Sequence, residues 1–179
     1  MTTGTDPTTP APAAALDPAT PEDLEVLREQ LGRVPRGVLG IAARCVCSRP
    51  TVVLTAPRLE DGTPFPTSFY LTCPPVVRGC STLEAEHVME ELGRWVADDE
   101  DVRAAYGRAH LDYIARRRLL GEVPEIEGVS AGGMPTRVKC LHALVAHALA
   151  AGPGVNPVGD RTLEILEERG LWNRRRCSC

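Results

Sequence analysis

The chain has 179 residues, of which 43% are hydrophobic and 25% charged, and this is typical of one globular domain with its own core. A net charge of −4 and an aromatic content of 4% do not favour nucleic-acid binding. There is no run of about 18 apolar residues that would span a membrane, and the N-terminus lacks the features of a signal peptide. We therefore expect a cytoplasmic protein that neither inserts into a membrane nor binds nucleic acid.

The two ends of the chain differ from its middle. Residues 1–19 are rich in Thr, Pro and Ala and cannot offset their ordering entropy by burial, so we predict a disordered tail. Residues 20–170 are predicted to form a single globular domain, which opens with a helix capped by Thr20 and ended by Gly32. Residues 171–179 are predicted to form a mobile tail that is basic and contains cysteines.

Three short segments after the first helix have the composition of β-strands. They are residues 38–43, 51–55 and 68–73. The first two are joined by a short segment with cysteines, so we predict an antiparallel hairpin with Cys45 and Cys47 at its tip.

The rest of the chain is predicted to be mainly helical. The expected helices are residues 81–97, opened by a capping box at Ser81 and Glu84, residues 100–120, a central helix that follows Gly132-Gly133, and residues 161–169. The predicted fold class is therefore α+β. A small antiparallel sheet of about three strands near the N-terminus would pack against a bundle of about four to five helices.

The seven cysteines carry the strongest indication of chemistry, because cytoplasmic thiols are more often buried, metal-bound or reactive than disulfide-linked. Cys45 and Cys47 are separated by one residue, so in extended backbone their side chains point the same way. We expect Cys73, at the end of the third strand, and Cys140, on the central helix, to approach this pair. Four thiolates suit zinc or an iron–sulfur cluster, and His142 or His147 could replace a sulfur at either.

Other roles for these side chains stay open. The thiols could be small buried hydrophobic residues that staple a non-enzymatic adaptor, or Cys140 could be the thiolate nucleophile of an enzyme. On a regular helix Cys140 and His147 share a flank and His142 lies on the opposite one, so pairing Cys140 with His142 requires an irregular first turn. Each histidine has the alternative of a hydrogen-bonded place at the edge of the core.

The start of the central helix is also a predicted anion-binding site. Gly132 and Gly133 form a flexible turn, and Arg137 and Lys139 are expected in the first helical turns, where free amides attract anions. A small anionic ligand such as a phosphate or a carboxylate would suit this site. The alternative is a glycine turn followed by two solvated cations.

Several motifs resemble the bacterial domain-of-unknown-function family 501. They are Arg36-Gly-Val38, residues 57–67, Phe69-Tyr-Leu-Thr-Cys-Pro74, Ser130-Ala-Gly-Gly-Met-Pro135, Arg137-Val-Lys-Cys-Leu-His142 and Gly152-Pro-Gly-Val-Asn-Pro157. The resemblance covers about residues 24–165. It implies a cytoplasmic, mainly actinobacterial protein with no assigned activity, so no catalytic residues can be carried over.

The resemblance has further implications for individual residues and for partners. The family pattern, matched to this sequence, includes Cys45, Cys47, Cys73, Cys140 and His142. Three cysteines lie outside its motifs and have no predicted role: Cys80, Cys177 and Cys179. Genes of the family often lie near genes for a septum-formation protein and an exopolyphosphatase, which implies a link to cell division or polyphosphate metabolism.

Overall fold

The structure, a computed structural model, describes residues 17–179. The predicted disordered tail therefore lies largely outside the described residues. Asp17, which the prediction placed in that tail, pairs with Ile41, whose backbone N donates to the Asp17 carbonyl oxygen at 2.8 Å. Ordered chain therefore begins before the first helix.

Helix α1 (Pro21–Leu31) begins and ends where the sequence predicts. The Thr20 hydroxyl accepts from the backbone N of Asp23, and the Asp23 carboxylate accepts from the backbone N of Thr20. This capping box satisfies two amides that a helix start otherwise leaves free. Gly32 ends the helix with a φ of 73°, in the left-handed region that glycine enters without steric cost.

A three-stranded antiparallel sheet in the order β1-β2-β3 confirms the predicted α+β fold. Its strands are β1 (Val38–Arg44), β2 (Pro50–Thr55) and β3 (Phe69–Leu71). Every residue of the central strand β2 is buried. The turn between β1 and β2 is closed by the Arg49 carbonyl, which accepts from the backbone N of Cys45 at 2.9 Å, while Ser48 adopts a φ of 69°.

Five further helices cover the sheet and one another. They are α2 (Pro74–Ala85), α3 (Val88–Asp98), α4 (Glu100–Arg118), α5 (Leu141–Ala151) and α6 (Pro157–Glu168), with a short 3-10 turn at Pro124–Ile126. Helix α5 is central, because it packs against all three strands and against α2 and α6. Gly159 lets α6 approach it closely, since a Cβ there would lie 2.4 Å from the Leu144 carbonyl oxygen. Among the described helices, none has the length and apolar character needed to cross a membrane.

The prediction of one helix over residues 81–97 is wrong. The chain turns between α2 and α3, where His87 adopts a left-handed φ of 63°. Ser81 lies inside α2, and its hydroxyl donates to the Val77 carbonyl oxygen at 3.0 Å. Ser81 therefore caps no helix, and Glu84 is free to contact another element.

The predicted start of the central helix is also wrong. Helix α5 begins at Leu141, and Cys140 is its N-cap with an extended backbone (φ −151°, ψ 106°). Arg137 and Lys139 consequently precede the helix, in the short segment that follows the turn of residues 132–136. The extended backbone at Cys140 supplies the irregular first turn that a pairing with His142 requires.

Candidate metal centre

Four cysteine sulfurs from opposite ends of the described chain lie within 4.8 Å of one another. They belong to Cys45, Cys47, Cys177 and Cys179, which we call the thiol cluster. The first two lie in the turn between β1 and β2, and the other two follow α6. The cluster therefore joins the hairpin to the C-terminal segment.

The C-terminal segment reaches the hairpin because the chain reverses after α6. The backbone N atoms of Leu171 and Trp172 donate to the Leu166 carbonyl oxygen at 2.9 and 3.2 Å. The Trp172 side chain is buried in the core and anchors the reversal. Asn173 then accepts from the backbone N of Arg175 at 2.7 Å, which turns the chain once more before the two cysteines.

Cys73 lies beside the thiol cluster, with its sulfur 3.4 Å from the sulfur of Cys179. It is fully buried at the N-cap of α2. Burial raises the pKa of Cys73, and the hydrogen bond with Cys179 opposes that shift. Burial likewise raises the pKa of Cys179, and the contact with Cys73 adds to it. Three predicted ligands, Cys45, Cys47 and Cys73, thus lie at one place.

Cys47 lies on the exposed side of the thiol cluster, and its pKa is lowered. The backbone amide of Arg49 is the main cause that lowers the pKa of Cys47 to about 7, and a hydrogen bond with Cys177 adds to it. Cys45, by contrast, is only 8% exposed. The thiol cluster therefore has an exposed side, which includes Cys47, and a buried side against the core, which includes Cys45.

Cys140 lies in a second group, together with Glu84 and His142, whose ligand atoms are also within 4.8 Å of one another. Glu84 is on the last turn of α2, and the other two residues are at the start of α5. The structure therefore separates Cys140 and His142 from Cys45, Cys47 and Cys73, with which the sequence analysis grouped them. All three members are half-buried.

Hydrogen bonds fix this second group. One carboxylate oxygen of Glu84, Oε1, accepts from the backbone N of Leu141 at 2.7 Å and lies 3.1 Å from His142 Nδ1. The other ring nitrogen, Nε2, lies 3.1 Å from the Val77 carbonyl oxygen. The hydrogen bond with Cys140 is the first cause that raises the pKa of His142 to about 9; burial opposes it, and the charge of Glu84 adds to it.

His147 is a buried core residue. Its Nδ1 lies 3.2 Å from the side-chain nitrogen of Asn156, and its Nε2 lies 2.9 Å from the Asp112 carboxylate. Because an amide nitrogen donates, Nδ1 accepts and Nε2 donates to the carboxylate. Both nitrogens are therefore in use, so His147 cannot replace a cysteine at a metal.

Cys80 is also fully buried, and burial raises its pKa.

The predicted anion-binding residues lie before α5, with Gly132 and Gly133 in a turn and Arg137 and Lys139 in the segment that follows it. The backbone N atoms of Arg137 and Lys139 donate to the carbonyl oxygens of Gly133 and Gly132, at 2.9 and 2.7 Å. The first amide of α5 donates to Glu84. These three amides are satisfied within the chain. An anion-binding role for the four residues stays a prediction that rests on the exposed side chains of Arg137 and Lys139.

Three members of these groups had no predicted role as ligands: Glu84, Cys177 and Cys179. The signal for the two cysteines is the Cys-X-Cys spacing of residues 177–179, which repeats that of residues 45–47. No comparable signal exists for Glu84, whose spacing from Ser81 imitates a capping box.

A family described as "Protein of unknown function (DUF501)" has a sequence model that matches residues 41–164, well over half of the chain. The chain belongs to this family. The matched range contains the whole Glu84, Cys140 and His142 group, whereas two cysteines of the thiol cluster lie beyond it. No curated protein and no solved structure matches the chain.

Proposed function

We propose that this family member is a metal-binding protein whose thiol cluster holds a single zinc-type ion, which fastens the C-terminal segment to the β1–β2 turn. The observation that carries the proposal is the approach of four cysteine sulfurs to within 4.8 Å of one another. Four thiolates are a common ligand set of structural zinc sites.

The spacing of the sulfurs favours one ion over an iron–sulfur cluster. A tetrahedral ion with Zn–S bonds of about 2.3 Å holds its sulfur ligands about 3.8 Å apart. The sulfurs of the thiol cluster, none more than 4.8 Å from another, need only small side-chain rotations to reach that spacing. A cluster of several irons and sulfides holds its cysteine ligands farther apart.

The position of the ligands in the chain indicates what the ion does. The thiol cluster joins a hairpin near the start of the described chain to its last residues. Because the unfolded chain has no preformed site, the binding free energy of the ion would add to the stability of the fold. The predicted role of Cys73 as a ligand together with Cys45 and Cys47 stays a prediction.

Metal analysis tests the proposal directly. We expect protein made in metal-replete cells and purified without oxygen to contain zinc, no sulfide and no visible chromophore. The double variant Cys177→Ser/Cys179→Ser should contain one equivalent less, whereas Cys80→Ala, which removes a thiol outside the cluster, should match the wild type. An unchanged zinc content of the double variant, or iron together with sulfide, would contradict the proposal.

A further inference from the structure

The Glu84, Cys140 and His142 group has the features of a second metal site. We propose that the Cys140 sulfur, the Nδ1 atom of His142 and the Glu84 carboxylate bind a divalent, zinc-type ion and leave one coordination position open. This site shares no residue with the thiol cluster, so the inference does not depend on the proposed function.

The donor set is one that zinc accepts. A thiolate, an imidazole and a carboxylate lie within 4.8 Å of one another. Structural zinc sites usually have four protein ligands, whereas catalytic sites have three and a water molecule in the fourth position. The side chains of Glu84 and His142 are 25% and 27% exposed, which leaves one side of the group open to solvent.

The hydrogen bonds of His142 direct Nδ1 towards the other two donors. Its Nε2 lies 3.1 Å from the Val77 carbonyl oxygen and 3.2 Å from the Ser81 hydroxyl. A carbonyl oxygen only accepts, so Nε2 carries a hydrogen. A histidine bound to a metal usually donates its second N–H to a group of this kind. Nδ1 then faces the Glu84 oxygen at 3.1 Å, and these two acceptors need a proton or a cation between them.

Two of the three donors lie on packed helices, and the third, Cys140, is the N-cap of one of them. Glu84 belongs to α2, and its Oε1 is fixed by the backbone N of Leu141 at 2.7 Å, which leaves its second oxygen for an ion. Cys140 and His142 flank Leu141 at the start of α5. A site built across two packed helices keeps its geometry better than one on a loop.

The arrangement fits an ion better than a catalytic relay. In a relay of thiol, histidine and carboxylate, the imidazole lies between the other two and gives one nitrogen to each. In this group Nε2 is taken by the Val77 carbonyl, so Cys140 and Glu84 are left with the same nitrogen, Nδ1. Three donors that lie within 4.8 Å of one another therefore suit the coordination of an ion.

A cobalt titration tests the second site. The full chain carrying Cys177→Ser/Cys179→Ser, stripped of metal and reduced, is titrated with Co²⁺ and followed by its visible and thiolate charge-transfer absorption. We expect one equivalent to bind with the spectrum of a single thiolate ligand. Adding Cys140→Ser or His142→Ala should weaken binding by at least about tenfold, since even outer-shell changes cost that much. The control His87→Ala removes an exposed histidine in the turn between α2 and α3 and should not change Co²⁺ binding.

A second variant keeps the test valid if Cys140→Ser or His142→Ala does not fold. Glu84→Gln retains an acceptor for the amide of Leu141 but removes the charge, so it should fold and bind Co²⁺ more weakly. The inference is overturned if the double variant binds no Co²⁺, or if Glu84→Gln and His142→Ala bind it as tightly as their parent. Rapid alkylation of Cys140 that Co²⁺ does not slow would identify a free nucleophile and would also overturn it. A failure of the proposed function would give a different result. If the thiol cluster binds no ion, the wild type and the double variant bind equal numbers of ions.

Discussion

Arg44 at the end of β1 forms a two-pronged ion pair with Asp23 of α1. The two guanidinium nitrogens Nη1 and Nη2 lie 2.7 and 2.9 Å from the two carboxylate oxygens. Arg44 Nε also donates to the Asp17 carboxylate at 2.8 Å. Because Asp23 caps α1 as well, a single buried carboxylate joins the helix start to the edge of the sheet.

Replacing this carboxylate should destabilise the fold. We expect Asp23→Ala to lower the free energy of unfolding by about 2 kcal/mol, since the variant loses a helix cap and leaves Arg44 with one partner fewer. Urea denaturation at neutral pH measures the change. Asp61→Ala is the matched control, because its ion pair with Arg36 is half exposed and should contribute little to the free energy of unfolding. If the free energy of unfolding falls equally in Asp23→Ala and Asp61→Ala, the ion pair of Asp23 does not have this importance.

The same pair should make stability depend on pH. The hydrogen bond with Arg44 is the main cause that lowers the pKa of Asp23 in the folded state. A lowered folded-state pKa contributes stability that is fully present above the unfolded value, about 3.9, and is lost as the pH falls through the folded value. The free energy of unfolding should therefore fall more steeply below about pH 4 in the wild type than in Asp23→Asn. If the free energy of unfolding depends on pH in the same way in the wild type and in Asp23→Asn, the ion pair makes no such contribution.

Removal of the proposed ion from the thiol cluster should loosen the end of the chain. We expect a chelator to speed amide hydrogen exchange in residues 173–179 and in the turn of residues 45–49, because the sulfurs would lose their common ligand. Exchange in α5 beyond its first turn should change little. The variant Cys177→Ser/Cys179→Ser should show fast exchange without chelator. If the chelator has no effect on either segment of the wild type, the ion does not fasten them.

The close approach of α5 and α6 can be tested at one glycine. A Cβ at Gly159 would lie 2.4 Å from the Leu144 carbonyl oxygen and 2.7 Å from the Ala148 side chain, so Gly159→Ala should lower the free energy of unfolding by about 1–3 kcal/mol. Gly93→Ala in α3 is the control. That position has open space around it, and alanine there should stabilise the helix by up to about 1 kcal/mol. The midpoint of thermal unfolding should therefore fall in Gly159→Ala and rise in Gly93→Ala.

Local signals in the sequence predicted most of the fold. Thr20 and Gly32 bound α1 because caps and left-handed turns depend on a few neighbouring residues. The break at His87 was missed because the residues around it continue to favour a helix, and packing rather than propensity places the turn there.

The two candidate sites bring together residues that are far apart in the sequence. The spacing of residues along the chain does not predict such contacts. Cys45 and Cys47 share a turn, so their proximity follows from local structure. Cys177 and Cys179 meet them only because the chain reverses at Trp172. The position of Cys140 depends on how α2 packs against α5.

The close approach of α5 and α6 at Gly159 also affects the C-terminal segment of the chain. Helix α6 lies against α5 at Gly159 and ends shortly before the reversal that directs Cys177 and Cys179 to the hairpin. If the thiol cluster holds the proposed ion, metal–sulfur distances within about 0.2 Å of their usual values require the segment with Cys177 and Cys179 to start from a fixed position. The distance between α5 and α6 at Gly159 thus determines the position from which the C-terminal segment starts. A side chain added at Gly159 should shift α6 away from α5, and with it the start of the segment that contains Cys177 and Cys179.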